Sequence, residues 1–165
     1  MVQYEYSDQA RLVADKKFTS VSSVDFTGLN MVRDGYAYIL VGDIVNLEAG
    51  DTNIKMFFND VTDTTKYYTQ QLIVDDTTIT SSRVNDTIAF SVKGLWAARV
   101  HAIIILHHTG KSHVNAFCEC NYAASSYNRY EKRVIYHNPA SNITKITLTS
   151  TAGDMTGRIK IYKLG

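Results

Sequence analysis

The stretch Arg99-Val100-His101-Ala102-Ile103-Ile104-Ile105-Leu106-His107-His108 holds the longest run of large apolar residues in the chain. Its three consecutive β-branched isoleucines disfavour a helix and favour a strand. Alternate residues of a strand point to opposite faces, and both faces are apolar over the middle of this stretch, which is typical of a strand covered on both sides. The run is too short to span a bilayer as a helix. We therefore predict that it is the central strand of the fold and that the rest of the chain wraps around it.

Strand signals recur on both sides of this stretch. Apolar runs of strand length are separated by turn residues every ~8–12 residues, and no long segment has a helical period. The pattern predicts an all-β fold, an antiparallel β-sandwich. The other predicted strands cover residues 18–26, 36–47 (with a bulge or bend at Gly42), 53–58, 66–74, 87–92, 112–122, 131–137, 142–150 and 157–164, and the polar residues 77–86 are predicted to be a loop or an edge strand.

The chain of 165 residues is long enough for one domain with a substantial core and short for two. Residues 1–17 mix charge and Tyr without a clean period, and we predict an N-terminal arm there, either extended or a short helix. No linker, repeat or low-complexity tract divides residues 18–165. We therefore predict that they form a single β-sandwich domain.

Charge and targeting signals exclude some classes of partner. The formal net charge is +1, from 17 basic and 16 acidic residues, so the chain lacks the electrostatic footprint of a protein that binds nucleic acid or an anionic membrane. Residues 1–6 have neither the basic nor the apolar region of a signal peptide. We expect neither a nucleic acid nor a membrane as a partner.

One hairpin can be placed in register. Gly110-Lys111 fits a two-residue type II′ turn, and that turn pairs Ile103 with Cys118. The core face of this register consists of Ile103, Ile105, Val114, Ala116, Cys118 and Cys120. A slip of one residue would exchange the faces, so the prediction depends on the turn.

The same hairpin concentrates residue types that bind zinc. It carries His101, His107, His108, His113 and both cysteines of the chain. The spacing contains no C-x-x-C and no H-x-x-x-H, and no second ligand pair occurs elsewhere, so structural roles are favoured and neither a metal nor another cofactor is expected. Cysteines at i and i+2 of one strand are poorly placed for a disulfide, which predicts two free buried thiols in a protein assembled in a reducing cytoplasm.

Catalytic signatures are missing from the sequence. Ser and His occur without a G-x-S-x-G between a strand and a helix, and neither glycine-rich phosphate motif is present. The loop aspartates lack the EF-hand spacing and are better explained as turn residues. We therefore predict no catalytic residues and no enzymatic activity.

The bias towards tyrosine, with eleven in the chain, points to surface recognition as well as to strands. Tyr4 and Tyr6 lie in the predicted arm, and Tyr127, Arg129 and Tyr130 lie in a polar loop. We take these five residues as interface candidates. The alternative is that the loop aromatics only cover the edge of the sandwich.

Five short motifs follow one another along the chain. They read Val24-Asp25-Phe26-Thr27-Gly28-Leu29, Met56-Phe57-Phe58-Asn59-Asp60, Lys66-Tyr67-Tyr68, Asn142-Ile143-Thr144-Lys145-Ile146-Thr147-Leu148, and Gly157-Arg158-Ile159-Lys160-Ile161-Tyr162-Lys163-Leu164. In this order they resemble a domain of tailed-bacteriophage virion proteins. The chain departs from that pattern because it lacks the aromatic or small-residue run that often precedes the last Gly, and because it has its own N-terminal arm.

The resemblance implies a jelly-roll-like β-sandwich that builds the virion as a head decoration protein, a head fibre or a tail-fibre domain. It implies a homo-oligomer, commonly a trimer, assembled in the host cytoplasm into a virion, with major capsid or tail proteins as partners and no catalytic residues. The alternative is a carbohydrate- or receptor-binding module on a phage tail, with a host glycan as its ligand.

Overall fold

The computed structural model describes residues 10–107, 112–124, 127–138 and 142–164. It confirms the all-β sandwich: two antiparallel sheets pack together, and the described residues contain one short 3₁₀ helix, Thr64–Lys66. The strands are β1 (Arg11–Val21), β2 (Ser23–Phe26), β3 (Ala37–Asn46), β4 (Thr52–Phe58), β5 (Tyr67–Asp75), β6 (Thr78–Val84), β7 (Ile88–Val92), β8 (Ala97–His107), β9 (His113–Ala124), β10 (Tyr127–His137), β11 (Ile146–Ser150) and β12 (Met155–Lys163).

The strand order is that of a jelly roll with two inserted hairpins. The smaller sheet has the order β2-β11-β4-β7, and the larger sheet has the order β1-β12-β3-β8-β9-β10-β5-β6. The eight strands β1, β12, β3, β8 and β2, β11, β4, β7 form the two facing sheets of a jelly roll. The hairpin β5–β6 is inserted between β4 and β7, and β9–β10 between β8 and β11. These four strands continue the larger sheet beyond β8, and we call them the extension.

The core lies between the two sheets and follows the period-two alternation of their strands. In β8, for example, Ala98, Val100, Ala102, Ile104 and Leu106 are buried, while the residues between them are exposed or half-buried. Large buried side chains from both sheets fill this layer, including Tyr38, Leu40, Ile44, Ile54, Met56, Phe58, Tyr67, Phe90, Ile104 and Ile135.

The buried tyrosines have partners for their hydroxyl groups. Tyr38 donates to Asp34 Oδ2 at 2.7 Å, and burial raises the pKa of its phenol. Tyr67 donates to the carbonyl of Val61 at 2.8 Å and accepts from the N–H of Phe58 at 3.0 Å. Buried polar groups are therefore satisfied within the core at these two positions.

Strand β8 occupies the fourth place of eight in the larger sheet, but the prediction that both its faces are covered was wrong. The smaller sheet packs against one face only. On the opposite face Ile103 and Ile105 are half-buried by their neighbours in the same sheet. A continuous apolar run therefore marked a strand with one core face and one apolar outer face.

The predicted register of the β8–β9 hairpin was wrong by one residue. Ile103 lies opposite Phe117, and Cys118 lies opposite Ala102. The core face consequently contains Ala102 and Ile104 of β8, whereas Ile103 and Ile105 point outward. The β9 half of the predicted core face is confirmed, because Val114, Ala116, Cys118 and Cys120 are buried. The predicted turn at Gly110-Lys111, on which that register depended, lies outside the described residues.

Other parts of the chain refine the predicted elements. The predicted strand 18–26 breaks at Ser22, so that β1 and β2 lie in different sheets. Residues 11–17 of the predicted arm belong to β1, which pairs with β12, and residues 1–9 lie outside the described residues. Within residues 77–86, β6 confirms the edge-strand alternative.

Gly42 does not mark the predicted bulge, because β3 pairs with both neighbours without a register shift there. A Cβ at this position would lie 2.1 Å from the carbonyl oxygen of Arg158 on the adjacent strand. Close approach of two backbones, rather than a bend, explains the glycine.

Candidate interaction surfaces

The face of the larger sheet that points away from the smaller sheet, which we call the outer face, has an apolar centre. Ile39, Ile103, Phe117 and Val134 lie opposite one another in a row across β3, β8, β9 and β10. All four side chains are half-buried although no other segment of the described chain forms a layer above them. Apolar surface on the solvent side of a sheet is the kind of surface that a partner protein covers.

A depression of about 560 Å³ lies on the outer face next to this row. Its lining combines an aromatic ring, an arginine and amide side chains, contributed by Tyr130, Arg99, Asn121 and Asn128. Tyr130 is 39% exposed, and Arg99 Nε donates to Asp43 Oδ1 at 3.3 Å. An exposed ring beside several hydrogen-bonding groups is suited to a polar ligand with an apolar face.

The rim of this depression is held by two hydrogen bonds between Asp76 and Asn128. The N–H of Asn128 donates to Asp76 Oδ1 at 3.1 Å, and the N–H of Asp76 donates to the carbonyl of Asn128 at 3.1 Å.

Three smaller depressions, of about 450, 430 and 150 Å³, also lie on the outer face, and Arg99 lines two of them as well. Depressions therefore occur on the outer face from β3 to β6.

Aromatic side chains form a row of contacts across the outer face of the larger sheet, from β8 to β6. His107 and His113 stack at 4.6 Å with an interplanar angle of 11°, and His113 lies 5.1 Å from Tyr136. Tyr136 lies 6.2 Å from Tyr68, and the guanidinium carbon of Arg83 lies 5.3 Å from the centre of the Tyr68 ring. Such cross-strand contacts stabilise the pairing of β8, β9, β10, β5 and β6.

The edge strand β6 is unusual because both of its faces are open to solvent. Residues 78–83 are all exposed, and the side chain of Ile79 is 69% exposed. Its pairing with β5 is regular over its whole length, from Thr69–Val84 to Asp75–Thr78. A regular, exposed edge of this kind presents unpaired backbone N–H and C=O groups to any chain that can add a strand.

A buried polar cluster lies on the inner face of β10. Arg133 Nη2 donates to Glu131 Oε2 at 2.8 Å and to Ser91 Oγ at 2.6 Å. Arg129 Nε lies 2.7 Å from Glu131 Oε1. Glu131 and Arg133 are almost fully buried, so this cluster couples β10 to β7 in the interior and offers no accessible site.

The hairpin that concentrated His and Cys does not form a metal centre in the described part of the chain. Across residues 10–107, 112–124, 127–138 and 142–164, no group of three His, Cys, Asp or Glu side chains could hold a metal ion. His101 lies opposite Glu119 rather than Cys120, and His108 lies outside the described residues.

Both thiols are free and buried, as predicted. Burial raises the pKa of Cys118, and it raises the pKa of Cys120 to about 12. The Cys120 thiol donates to the carbonyl of Ser91 at 3.2 Å. Because the thiolate is the reactive form, these groups are poor nucleophiles in the folded protein.

The structure brings two of the five interface candidates together. Arg129 and Tyr130 are adjacent in β10 and both border the large outer depression. The side chain of Arg129 pairs with Glu131 of the inner cluster, whereas Tyr130 is exposed on the outer face. The predicted polar loop was wrong, because Tyr127, Arg129 and Tyr130 all lie in strand β10. Tyr4 and Tyr6 lie outside the described residues.

Sequence reasoning missed two further lining residues of this depression, Arg99 and Asn121. They belong to the β8–β9 pair and lie opposite each other. The correct register would have placed them on one face, next to Tyr130.

Comparisons with known proteins identify no relative of this chain. No family model, no curated protein and no solved structure matches the chain. Within the described residues, no helix has the length and apolar character needed to cross a membrane.

Proposed function

We propose that this protein is a non-enzymatic structural component of a virus particle, a capsid decoration protein or a head or tail fibre protein, that acts by contacts with other proteins. The observation that carries the proposal is the extension, which adds four strands to a jelly roll and whose outer face and edge no other described segment covers. The order of the five sequence motifs supports the same assignment. Jelly rolls occur in viral capsid and lectin domains, so the fold supports the proposal by analogy.

In this proposal the chain is a homo-oligomer that assembles in the host cytoplasm and binds major capsid or tail proteins. The half-buried row Ile39, Ile103, Phe117 and Val134 supplies apolar contact area. Charged pairs surround it, such as Lys132–Glu119 at 2.9 Å and Arg99–Asp43 at 3.3 Å. An apolar centre with a polar rim is the usual anatomy of a protein interface.

The test is whether the chain is present in particles. Purified virions from cells that express it should contain the protein at a fixed ratio to the major capsid protein, measured by quantitative mass spectrometry. Ile103→Glu should lower that ratio, because it places a charge in the apolar row. Thr149→Glu, on the outer side of the smaller sheet, is the matched control. A protein that remains in the soluble fraction contradicts the proposal.

The second candidate function is recognition of a host saccharide, and the large outer depression favours it. Tyr130 can stack on a sugar ring while Arg99, Asn121 and Asn128 bind hydroxyl groups. A glycan array would identify the ligand. Tyr130→Ala should weaken its binding roughly tenfold, whereas Tyr68→Ala should not; both rings are 39% exposed, so they are a matched pair. An array without any binding contradicts this candidate.

A further inference from the structure

We infer that β6 pairs antiparallel with β6 of a second copy of this chain, so that two larger sheets join edge to edge about a twofold axis. This inference names a second copy of the chain as one partner of the proposed structural protein. It rests on the proposed function in one respect: both hold that the chain acts by contacts between folded proteins.

The first argument is a contrast between the two edges of the same sheet. Strand β1, at the other edge, carries two register irregularities against β12 and the charged residues Arg11, Asp15, Lys16 and Lys17. Bulges and edge charges are the devices by which proteins prevent strand addition. Strand β6 has neither a bulge nor a Lys nor a Pro. One edge of the sheet is therefore protected and the other is open.

The edges of the smaller sheet are not comparable sites. Strand β2 spans only four residues, and β7 is mostly buried and has an irregular register against β4. Among the described strands, β6 alone is a long, regular edge with both faces exposed. Within the described chain, this edge has no strand beyond it, so its outward backbone groups are available to a neighbour.

The second argument is the direction of the backbone groups. Asp76 and Thr77 connect β5 to β6 as a two-residue turn that closes the Asp75–Thr78 pair. Hydrogen-bonded and non-hydrogen-bonded pairs alternate from that pair along the hairpin. Thr78, Thr80, Ser82 and Val84 therefore direct their N–H and C=O groups to β5. Ile79, Ser81 and Arg83 direct theirs to the open edge.

These three residues are complementary to themselves in one register. With Ser81 opposite Ser81 of the second copy, Ile79 faces Arg83 and Arg83 faces Ile79. Each of these pairs can exchange two backbone hydrogen bonds. Shifting the register by two residues leaves one of the three without an outward-facing partner in β6.

The charges also suit this register. Arg83 is the one charged residue of β6, and it faces Ile79 of the second copy, on which its aliphatic stem can pack. The two Arg83 residues lie about 13 Å apart along the strands. No two like charges therefore lie directly opposite each other. Such an arrangement would destabilise a cross-strand pair. A twofold contact of this kind closes as a dimer, and the inference therefore replaces the trimer that the resemblance implies.

Charge variants at Ser81 test the inference, because the twofold axis places this residue opposite itself. The native mass of the full chain, measured by light scattering, should be that of a dimer. Ser81→Lys and Ser81→Glu should each raise the dissociation constant roughly tenfold, since two like charges then face each other. An equimolar mixture of the two variants should restore the dimer. Lys17→Glu, on β1, is the matched control and should leave the mass unchanged.

A backbone variant provides a second measurement. Ser81→Pro removes the outward N–H without removing a donor to β5, so it should give a folded monomer by circular dichroism and light scattering. A monomeric or trimeric wild-type chain would overturn the inference. So would single charge variants that remain fully dimeric, or a mixture that stays monomeric. A dimer that never enters virions would instead contradict the proposed function and leave the β6 contact in place.

Discussion

At the residue scale, the buried ion pair between Glu131 and Arg133 is the polar feature of the interior whose stability depends most on both partners being present. Both residues are at most 2% exposed, and they share two hydrogen bonds. Removal of one partner leaves the other charge buried without compensation. We expect Glu131→Ala to lower the free energy of unfolding by about 3–5 kcal/mol, as measured by urea denaturation.

Two variants separate the loss of the pair from the loss of a charge. Replacing Glu131 and Arg133 together by Met should cost less than Glu131→Ala alone, because no unpaired charge remains. Lys132→Ala breaks the exposed pair with Glu119 and should have a far smaller effect. Equal losses for Glu131→Ala and Lys132→Ala would contradict the buried role.

His137 should make the stability depend on pH. It is buried, stacks on Tyr67 at 4.3 Å, and its pKa is lowered because burial disfavours the charged ring. The unfolded chain therefore takes up this proton at a higher pH than the folded chain. The stability is complete above the unfolded pKa of about 6.5 and is lost as the pH falls towards the lower folded value.

The measurement is the denaturation midpoint at pH 7.5 and pH 5. In the wild type the midpoint should be lower at pH 5, and His137→Gln should reduce that difference because glutamine does not titrate and can still donate to the carbonyl of Lys66, which accepts from this position at 3.2 Å. Because the other histidines are the same in both proteins, their contribution to the pH dependence cancels in this comparison. If the difference between the two midpoints is the same in the variant, a group other than His137 causes the pH dependence of stability.

Single residues could be predicted where burial alone decides their role. The free thiols of Cys118 and Cys120 are an example, since a buried strand face and an unfavourable spacing for a disulfide suffice for the prediction. The outward position of Arg99 could not be predicted. It depends on the β8–β9 register, and the slip of one residue placed Ile103, Ile105 and with them Arg99 on the core face of the predicted β8.

At the element scale, Gly42 permits β3 and β12 to lie close together. We expect Gly42→Ala to lower the free energy of unfolding by about 1–3 kcal/mol, because its methyl group would meet the carbonyl of Arg158 and one strand must move. Gly50→Ala is the matched control, since no atom lies within 4 Å of its Cβ position. Urea denaturation of both variants makes the comparison, and equal stability would exclude the close approach as the reason for Gly42.

Most strands could be predicted because apolar alternation and turn residues are local signals. Strands β3, β4, β5 and β7 lie within one or two residues of the predicted runs. The break at Ser22 could not be predicted in the same way. Residues 18–26 alternate continuously, and only the packing of two sheets requires Val21 and Ser23 to belong to different ones.

At the scale of the whole molecule, the two thiols should report global unfolding. Cys118 and Cys120 lie on the inner face of β9, beneath the smaller sheet, so a reagent reaches them only when the sheets separate. We expect a disulfide reagent to react with neither thiol in the native protein and with both in denaturant. Thr27→Cys, at an exposed position, should add one thiol that reacts in the native state. Native reactivity of the wild type would show that β9 opens locally.

The jelly roll was predictable at this scale only through the resemblance, because its pairings join distant parts of the chain. The extension was not predicted at all. Hydrophobic patterns show that β5, β6, β9 and β10 are strands, but nothing local shows that two hairpins, far apart in sequence, meet at β10 and β5 to widen one sheet. The surfaces that carry the proposed function depend on the pairing of β10 with β5.

The pairing of β1 with β12 has a consequence for synthesis. Arg11 lies opposite Lys163, so β1 finds its neighbour only after the chain has been synthesised as far as β12. Until then β1 and the edge of β3 that faces β12 have no partner, although β3, β8, β9, β10, β5 and β6 can already pair. During that interval the open edges depend on protection from premature association.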